Sequence, residues 1–346
     1  MHLTERYEGP VETIVFAEGA FGETSGKTAN GVVAHGTLFD VRAVVDSTKA
    51  GRCATDVLGT DLSSNPTVVA SVEEALTEAP DAGVLILGVA PVGGTLPRDW
   101  IPEIETAIDA GCDVVSGLHE FLSDNPEWRM RAADAGVSLV DVRKPPEDKL
   151  RVADGRVDEC GADVVLTMGT DCAVGKRTTT FELYNAAREL GLDAGWVATG
   201  QTGVMIGADA GVVIDRVPAD FLAGVVEDLV CSVAEDYELV FVEGQASLSH
   251  RAYSAVTLGL LHGSNPDVVV IADEPGRNTR DDFDRFEVES LPEEISLIEH
   301  ISPTTVAAVS TWGDAIGVES EVGLPAGNVF EDGGTDAILG AVLEAL

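Results

Sequence analysis

Residues 164–190 read VVLTMGTDCAVGKRTTTFELYNAAREL. A Val-rich apolar run leads into a short loop with glycine at both ends, and an amphipathic pattern follows from Lys176. That order predicts a buried strand, a turn and a helix, the setting in which helix N-terminal N–H groups hold a phosphate. Gly allows close backbone approach, and Lys176 adds a point charge. Two departures from the usual phosphate loop matter. Five residues rather than four separate Gly169 from Gly175, and the residue after Lys176 is Arg177, so the hydroxyl arrives late, at Thr178. Nucleotide hydrolases place a magnesium-binding Ser or Thr directly after the Lys. The expected ligand set is therefore Gly169, Thr170, Cys172, Ala173, Val174, Gly175, Lys176, Arg177 and Thr178, holding a phosphate-bearing molecule without a metal.

Around this segment the chain alternates short apolar runs with amphipathic stretches. ADVVLTMG, AGWVATG, YELVFVEG, DVVVIAD and TTVAAVS read as strands after residue 160, with helices expected at 176–190, 218–234, 255–262, 296–301 and 336–346. Before it, the runs at 11–17, 41–46 and 68–70, then GVLILGVA, CDVVSG and SLVDVR, alternate with SVEEALTEA, WIPEIETAIDAG and PEWRMRAADAG. Continuous apolar strands between helices mean parallel sheets covered on both faces. The charged, proline-containing stretch 144–161 breaks the pattern. The expectation is an α/β protein with a Rossmann-like doubly wound domain over 1–145 and a P-loop-type parallel-sheet domain over 146–346.

In open parallel sheets ligands lie at the carboxyl ends of the strands. The loops expected there carry Gln201 and Thr202, then Glu243, Gln245, Ser247, Ser249, His250 and Arg251, then Asp273, Glu274, Arg277 and Asn278. Glu243 closes a strand, where a carboxylate can serve as a base or as a solvated cap. His250 is divided between site and loop. Cys172 sits where a helix N-terminus would favour a thiolate, although such thiols are more often small packing residues.

The first domain has a weaker turn of its own, GETSGKT, in which Lys27 is followed by Thr28. It does not match G-x-G-x-x-G, though Asp46, closing the second strand, resembles the ribose-binding acid of dinucleotide folds. Only five Lys occur in the chain, and Lys27 and Lys176 both stand in glycine-rich turns before helices.

Composition sets the outer bounds. The 346 residues carry 60 acidic and 21 basic side chains, a net charge of −39. Such an acid excess suits concentrated salt, where screening removes self-repulsion, and it argues against a nucleic-acid partner, which needs a basic patch. The five cysteines are scattered without C-x-x-C, so neither a disulfide framework nor a zinc site is expected. No apolar run is long enough to span a bilayer and no leader is visible, so the expectation is a cytoplasmic protein.

Four stretches taken together, AEGAFG with GKTANG (17–22, 26–31), VVDSTKAG (44–51), DVRKPP (141–146) and GTDCAVGKRTTT (169–180), resemble a two-domain family that includes prokaryotic D-glutamate N-acetyltransferases. The resemblance implies a Rossmann-like domain followed by a P-loop domain, acetyl-CoA as co-substrate and D-glutamate as acceptor. The 169–178 loop is also similar to that of dethiobiotin synthetase, with Arg177 replacing a Thr.

If the family's reaction holds, the acceptor amine must lose a proton before it attacks the thioester, so a carboxylate or imidazole is required. Glu243, His250 and Asp171 are the candidates, in that order. Arg251 and Arg277 are candidates for gripping the glutamate carboxylates, with Gln201, Thr202 and Lys27 as further substrate contacts. A symmetric homo-oligomer is expected. The alternatives are an ATP- and Mg-dependent ligase or kinase of the dethiobiotin synthetase kind, and a non-catalytic nucleotide-binding regulator.

Overall fold

The computed structural model describes residues 3–7, 9–89, 91, 95–145, 147 and 150–346. The end of the GVLILGVA run (Ala90), and Pro146, Asp148 and Lys149 of the boundary stretch, lie outside the described residues. Two compact units form, Met1–Pro145 with Gly200–Ala208, and Pro146–Thr199 with Asp209–Leu346. The division departs from 1–145 and 146–346 only at residues 200–208. This short segment leaves the second stretch of sequence and packs with the first unit, through Thr28 Oγ1–Thr202 Oγ1 at 2.8 Å and Thr37 N–H donating to Ile206 O at 2.9 Å.

The first unit holds strands β1 (Val11–Phe16), β2 (Phe39–Val45), β3 (Thr67–Val69), β4 (Val84–Leu87), β5 (Asp113–Ser116) and β6 (Leu139–Asp141). They pair in the order β3-β2-β1-β4-β5-β6, every pairing parallel. This is the doubly wound order in which the chain reverses direction of travel between β1 and β4. Strand residues such as Ile14, Val15, Val44, Leu85 and Val115 are fully buried, as expected for strands covered on both faces.

The turn after β1 is closed by its own side chains. Gly22 N–H donates to Asn30 Oδ1 at 2.8 Å, and Asn30 Nδ2 donates to Glu23 O at 3.0 Å. Asp46 is buried; its carboxylate accepts from the N–H of Phe21 at 3.0 Å and from the N–H and hydroxyl of Thr48. It braces the turn rather than presenting an acid to a ribose. Lys27 opens the helix Lys27–His35 and is exposed.

The second unit contains β7 (Asp163–Gly169), β8 (Ala194–Ala198), β9 (Ala210–Gly211), β10 (Leu239–Glu243), β11 (Val268–Asp273), a hairpin of β12 (Thr279–Arg280) and β13 (Phe283–Glu287), then β14 (Thr305–Thr311) and β15 (Ala326–Gly327). The main sheet runs β15-β14-β11-β7-β10-β8-β9, all parallel, with β7 at its centre. Alternation along β7 serves both layers. Val164, Leu166 and Met168 enter the core shared with the helix Leu222–Ala234, while Val165 joins the core of the helices Lys176–Glu189 and Gly334–Ala345. The β12–β13 hairpin follows the loop of Arg277 and Asn278, in a stretch for which the sequence offered no element. Among the described residues no helix is long and apolar enough to cross a membrane.

Candidate functional site

Strand β7 ends at Gly169, and the helix Lys176–Glu189 begins seven residues later, so the loop between them stands at the carboxyl edge of the sheet's central strand. Gly169 must lack a side chain, because a Cβ there would fall 2.9 Å from Val174 Cγ2 and 3.1 Å from Lys176 Cδ. Lys176 therefore folds back over the strand end. Its Nζ donates to the carbonyl of Asp171 and is almost fully buried. Ala173 (φ 55°) and Gly175 (φ 96°) both take left-handed backbone. Placed alternately along a loop, such residues gather N–H groups on one side, an anion-binding concavity.

The loop's carbonyls are already claimed. Thr170 O accepts from Arg280 Nη1, Asp171 O from Lys176 Nζ, and Cys172 O from Arg277 Nη1 at 2.7 Å. Three successive acceptors are thus turned onto three cations. The sequence reading missed Arg280; the only available signal was its place in a short alternating stretch, TRDDFDRFE, which the structure folds as the hairpin. It is 2% exposed and also donates to Ser247 Oγ and Ser249 Oγ, each at 2.8 Å, and to Glu287 O at 3.0 Å. Ser249 in turn donates to the buried carboxylate of Glu294.

Asp171 is the hub. Its Oδ2 accepts from Arg277 Nη1 at 3.1 Å and from Asp281 N–H at 2.9 Å, and its Oδ1 lies 3.5 Å from Arg280. Burial would raise its carboxyl, but the N–H groups of Asp281 and Cys172 and the two guanidinium groups reverse that and hold it below the usual carboxylate range. Such a carboxylate is a poor base. His250, also fully buried, accepts at Nδ1 from the N–H groups of Ala252 (3.1 Å) and Tyr253 (3.3 Å). Its proton therefore resides on Nε2. Burial lowers its pKa, against the opposing pull of Asp171. The ring stacks on Tyr253 at 4.8 Å and meets Phe283 edge-on at 5.4 Å.

Asp171, Cys172 and His250 bring one oxygen, one sulfur and one nitrogen within 4.8 Å of one another, a spacing that could hold a metal. Metal-bound imidazoles usually donate their second N–H to an acceptor. Here the second nitrogen faces two N–H donors, so Nε2 is presented as a donor rather than a lone pair. Burial also raises the Cys172 thiol, away from the thiolate a metal requires.

Glu243 ends β10, beside β7, and is 5% exposed. Its Oε2 accepts from Thr199 N–H at 3.2 Å and its carbonyl from Thr199 Oγ1 at 2.7 Å; Gln245 Nε2 donates to that same hydroxyl at 3.0 Å. Its charge is felt at both loop cations. Burial pulls Lys176 down to about 8, while Cys172, Asp171 and Glu243 oppose; Arg177 is lowered by burial and supported by Glu243.

The structure thus brings together Asp171, Cys172, Lys176, Arg177, Glu243, His250 and Arg277 in the second unit. Arg277 clamps the loop through Asp171, Cys172 and Glu274. Arg251 lies exposed, its guanidinium 4.8 Å from the Phe286 ring centre. Gln201, Thr202 and Lys27 belong to the first unit.

An order of β3-β2-β1-β4-β5-β6 in one unit, and an anion-receptive glycine loop at the central strand of a second parallel sheet, define a two-domain α/β protein with Rossmann-like and P-loop halves. The chain belongs to the DUF1611 family: its P-loop domain, described as a domain of unknown function, matches over residues 151–339, and the family's Rossmann-like N-terminal domain over 47–145. A crystal structure of a family member from Anabaena variabilis, 33% identical, superposes with a TM-score of 0.88 over 96% of this chain and 99% of that one. Two curated relatives are named D-glutamate N-acetyltransferase. The Pseudoalteromonas protein is 42% identical over 190 residues, 55% of this chain and 56% of that one. The Tritonibacter scottomollicae protein is 38% identical over 226 residues, 64% of this chain and 66% of that one. The matched stretches thus span less than two thirds of either relative.

Proposed function

We propose that this protein is an N-acetyltransferase that moves the acetyl group of acetyl-CoA onto the amino group of D-glutamate. The acceptor and the reaction are taken from the names of the two relatives; the donor is argued from the loop. Acetyl-CoA carries a pyrophosphate and a 3′-phosphate and requires anion-binding amides without an obligatory metal. The single observation behind this choice is Lys176, buried over Gly169 and followed by Arg177, where magnesium-dependent enzymes place a hydroxyl.

In this reading Glu243 is the base. Asp171 is held ionised by two guanidinium groups, and His250 turns a proton rather than a lone pair toward it, which leaves Glu243 as the carboxylate at the strand edge. The amine nitrogen attacks the thioester carbonyl, the C–N bond forms and the C–S bond breaks. Glu243 first takes a proton from the ammonium to free the lone pair, and the proton that the nitrogen sheds after the attack passes to the departing thiolate of coenzyme A. Loop N–H groups would steady the oxyanion that develops.

The experiment is incubation with D-glutamate and acetyl-CoA in high salt, following free thiol with and without a chelator. Thiol release dependent on D-glutamate and indifferent to chelator is expected. ADP formation from ATP without thiol release would instead establish the ligase reading and end this one.

A further inference from the structure

Trp312 and Phe330 stand apart from every role given above, and both are open: Trp312 is 44% exposed and Phe330 65%. Their rings meet edge-to-face with centroids 6.0 Å apart. Trp312 follows β14 and Phe330 follows β15, at the same carboxyl edge of the sheet as the phosphate loop, because β7, β11, β14 and β15 are all parallel. The contact with the loop is direct. A Cβ placed on Gly175 would lie 2.6 Å from the indole Nε1 and 3.2 Å from Cε2 and Cζ2. Gly175, the residue capping the helix Lys176–Glu189, is therefore glycine both for its backbone and for this ring.

The main chain that carries the indole is also anchored. Trp312 N–H donates to Asp273 O at 3.2 Å, Gly313 N–H donates to Thr311 Oγ1 at 3.1 Å, and Gly313 is pressed against Pro275, two residues before Arg277. The indole thus presents an open aromatic face directly beside the anion loop.

We propose that Trp312 and Phe330 form the stacking subsite for the purine base of an adenine nucleotide whose phosphates occupy the 169–178 loop. Continuity with that loop argues for a base rather than a free apolar ligand: the phosphates fix one end of the molecule, and the planar end falls on the aromatic surface. Phe330 borders the indole. This assignment rests on the anion-loop reading and deepens it, since acetyl-CoA is built on an adenine nucleotide.

The test is calorimetric titration of the full-length protein with ADP and, separately, with inorganic pyrophosphate, alongside quenching of indole fluorescence. Base–aromatic stacking contributes about tenfold or more in affinity. Trp312→Ala is expected to weaken ADP by about tenfold and leave pyrophosphate within about twofold. Trp312→Phe should regain most of the ADP affinity while abolishing the ADP-dependent fluorescence change, because Trp196 is fully buried and Trp100 and Trp128 nearly so. Phe330→Ala should show a smaller loss confined to ADP. Unchanged ADP affinity in Trp312→Ala, or an equal loss for pyrophosphate, overturns the stacking assignment while leaving the anion loop intact. Failure of the unaltered protein to bind either probe overturns both. Stacking of ADP in a protein that never releases thiol from acetyl-CoA supports the subsite and sinks the acetyl-transfer reading alone.

Discussion

Asp171 Oδ1 and His250 Nε2 face each other across 3.7 Å, both in fully buried side chains and neither hydrogen-bonded among the described residues. The gap is too long for a hydrogen bond. Two main-chain N–H groups fix the His250 tautomer, so the proton on Nε2 points at the carboxylate without reaching it. Burial keeps the ring neutral by lowering its pKa. The unfolded chain, in contrast, takes up a proton at an ordinary His pKa of about 6.5. Stability conferred by the neutral ring is therefore complete above that value and is lost as pH falls toward the lowered folded pKa. Urea unfolding of the protein and of His250→Gln, measured between pH 7 and pH 5, should show a steeper loss for the unaltered protein. Identical slopes would mean that folding does not lower the His250 pKa.

Asp171 is expected to be the costliest single carboxylate in the second unit. Removing its charge by Asp171→Asn takes from buried Arg280 the one carboxylate within 4 Å of it among the described residues and loosens Arg277. Breaking a buried pair by removing one partner costs about 3–5 kcal/mol. The shift should appear in chemical denaturation at pH 7 and vanish at low pH. Its lowered folded pKa makes the contribution present above about pH 4, and lost only as pH falls further through the folded value. A loss under about 1 kcal/mol would remove Asp171 as the hub.

Lys176 supplies the pH signature of ligand binding. Its pKa, lowered to about 8 by burial, must rise when a phosphate arrives beside it. Affinity for pyrophosphate should be constant below pH 8 and weaken by up to about tenfold per pH unit above it. Titrations in buffers of different ionisation enthalpy should show proton uptake near pH 8. A flat profile between pH 7 and pH 9.5 would place the anion away from this amine.

Much of this arrangement was readable from the residues, and the misses share one cause. Runs such as VVLTMG and LVFVEG declare buried parallel strands because nothing else tolerates uninterrupted apolar residues between turn signals. The 169–178 loop declares itself because its glycines and Lys176 sit where a strand gives way to a helix. Arg280 was invisible: its importance arises from a two-residue strand pairing that buries a guanidinium beside Asp171, which no local pattern encodes. The same holds for 200–208, whose attachment to the first unit depends on Thr28 meeting Thr202. Asp46 fitted a ribose-binding position by spacing, yet its carboxylate is consumed by Phe21 and Thr48. Spacing locates a residue; it does not say which neighbours have claimed it.

Glu243→Gln separates the base from the brace. The amide can still accept from Thr199 N–H through its oxygen, so the local fold survives while basicity is lost. On the proposed mechanism kcat for acetyl transfer should fall by about 10²–10⁴ with little change in the KM for acetyl-CoA. Activity within about twofold of the unaltered protein would reassign Glu243 as a positioning residue for the Thr199–Gln245 corner.

The acid excess makes its own prediction. With 60 acidic against 21 basic side chains, several arginines are shared: Arg156 touches Asp154, Glu227 and Asp228, Arg131 touches Glu105 and Asp109, and Arg42 touches Glu12 and Asp40. Salt weakens both these attractions and the repulsion among the remaining carboxylates, so the sign depends on which is larger. Exposed ion pairs contribute about 0–1 kcal/mol each. The repulsion, in contrast, sums over every pair of like charges within a screening length, which contracts from about 10 Å at 0.1 M to about 3 Å at 1 M. At a net charge of −39 the repulsive sum dominates. The thermal midpoint should therefore climb as sodium chloride is raised from 0.1 M to 1 M, and equally with potassium chloride, since screening depends on ionic strength and not on the cation. A midpoint that stays level or drops over that range would show that the shared arginines, not the unpaired carboxylates, govern how this surface responds to salt.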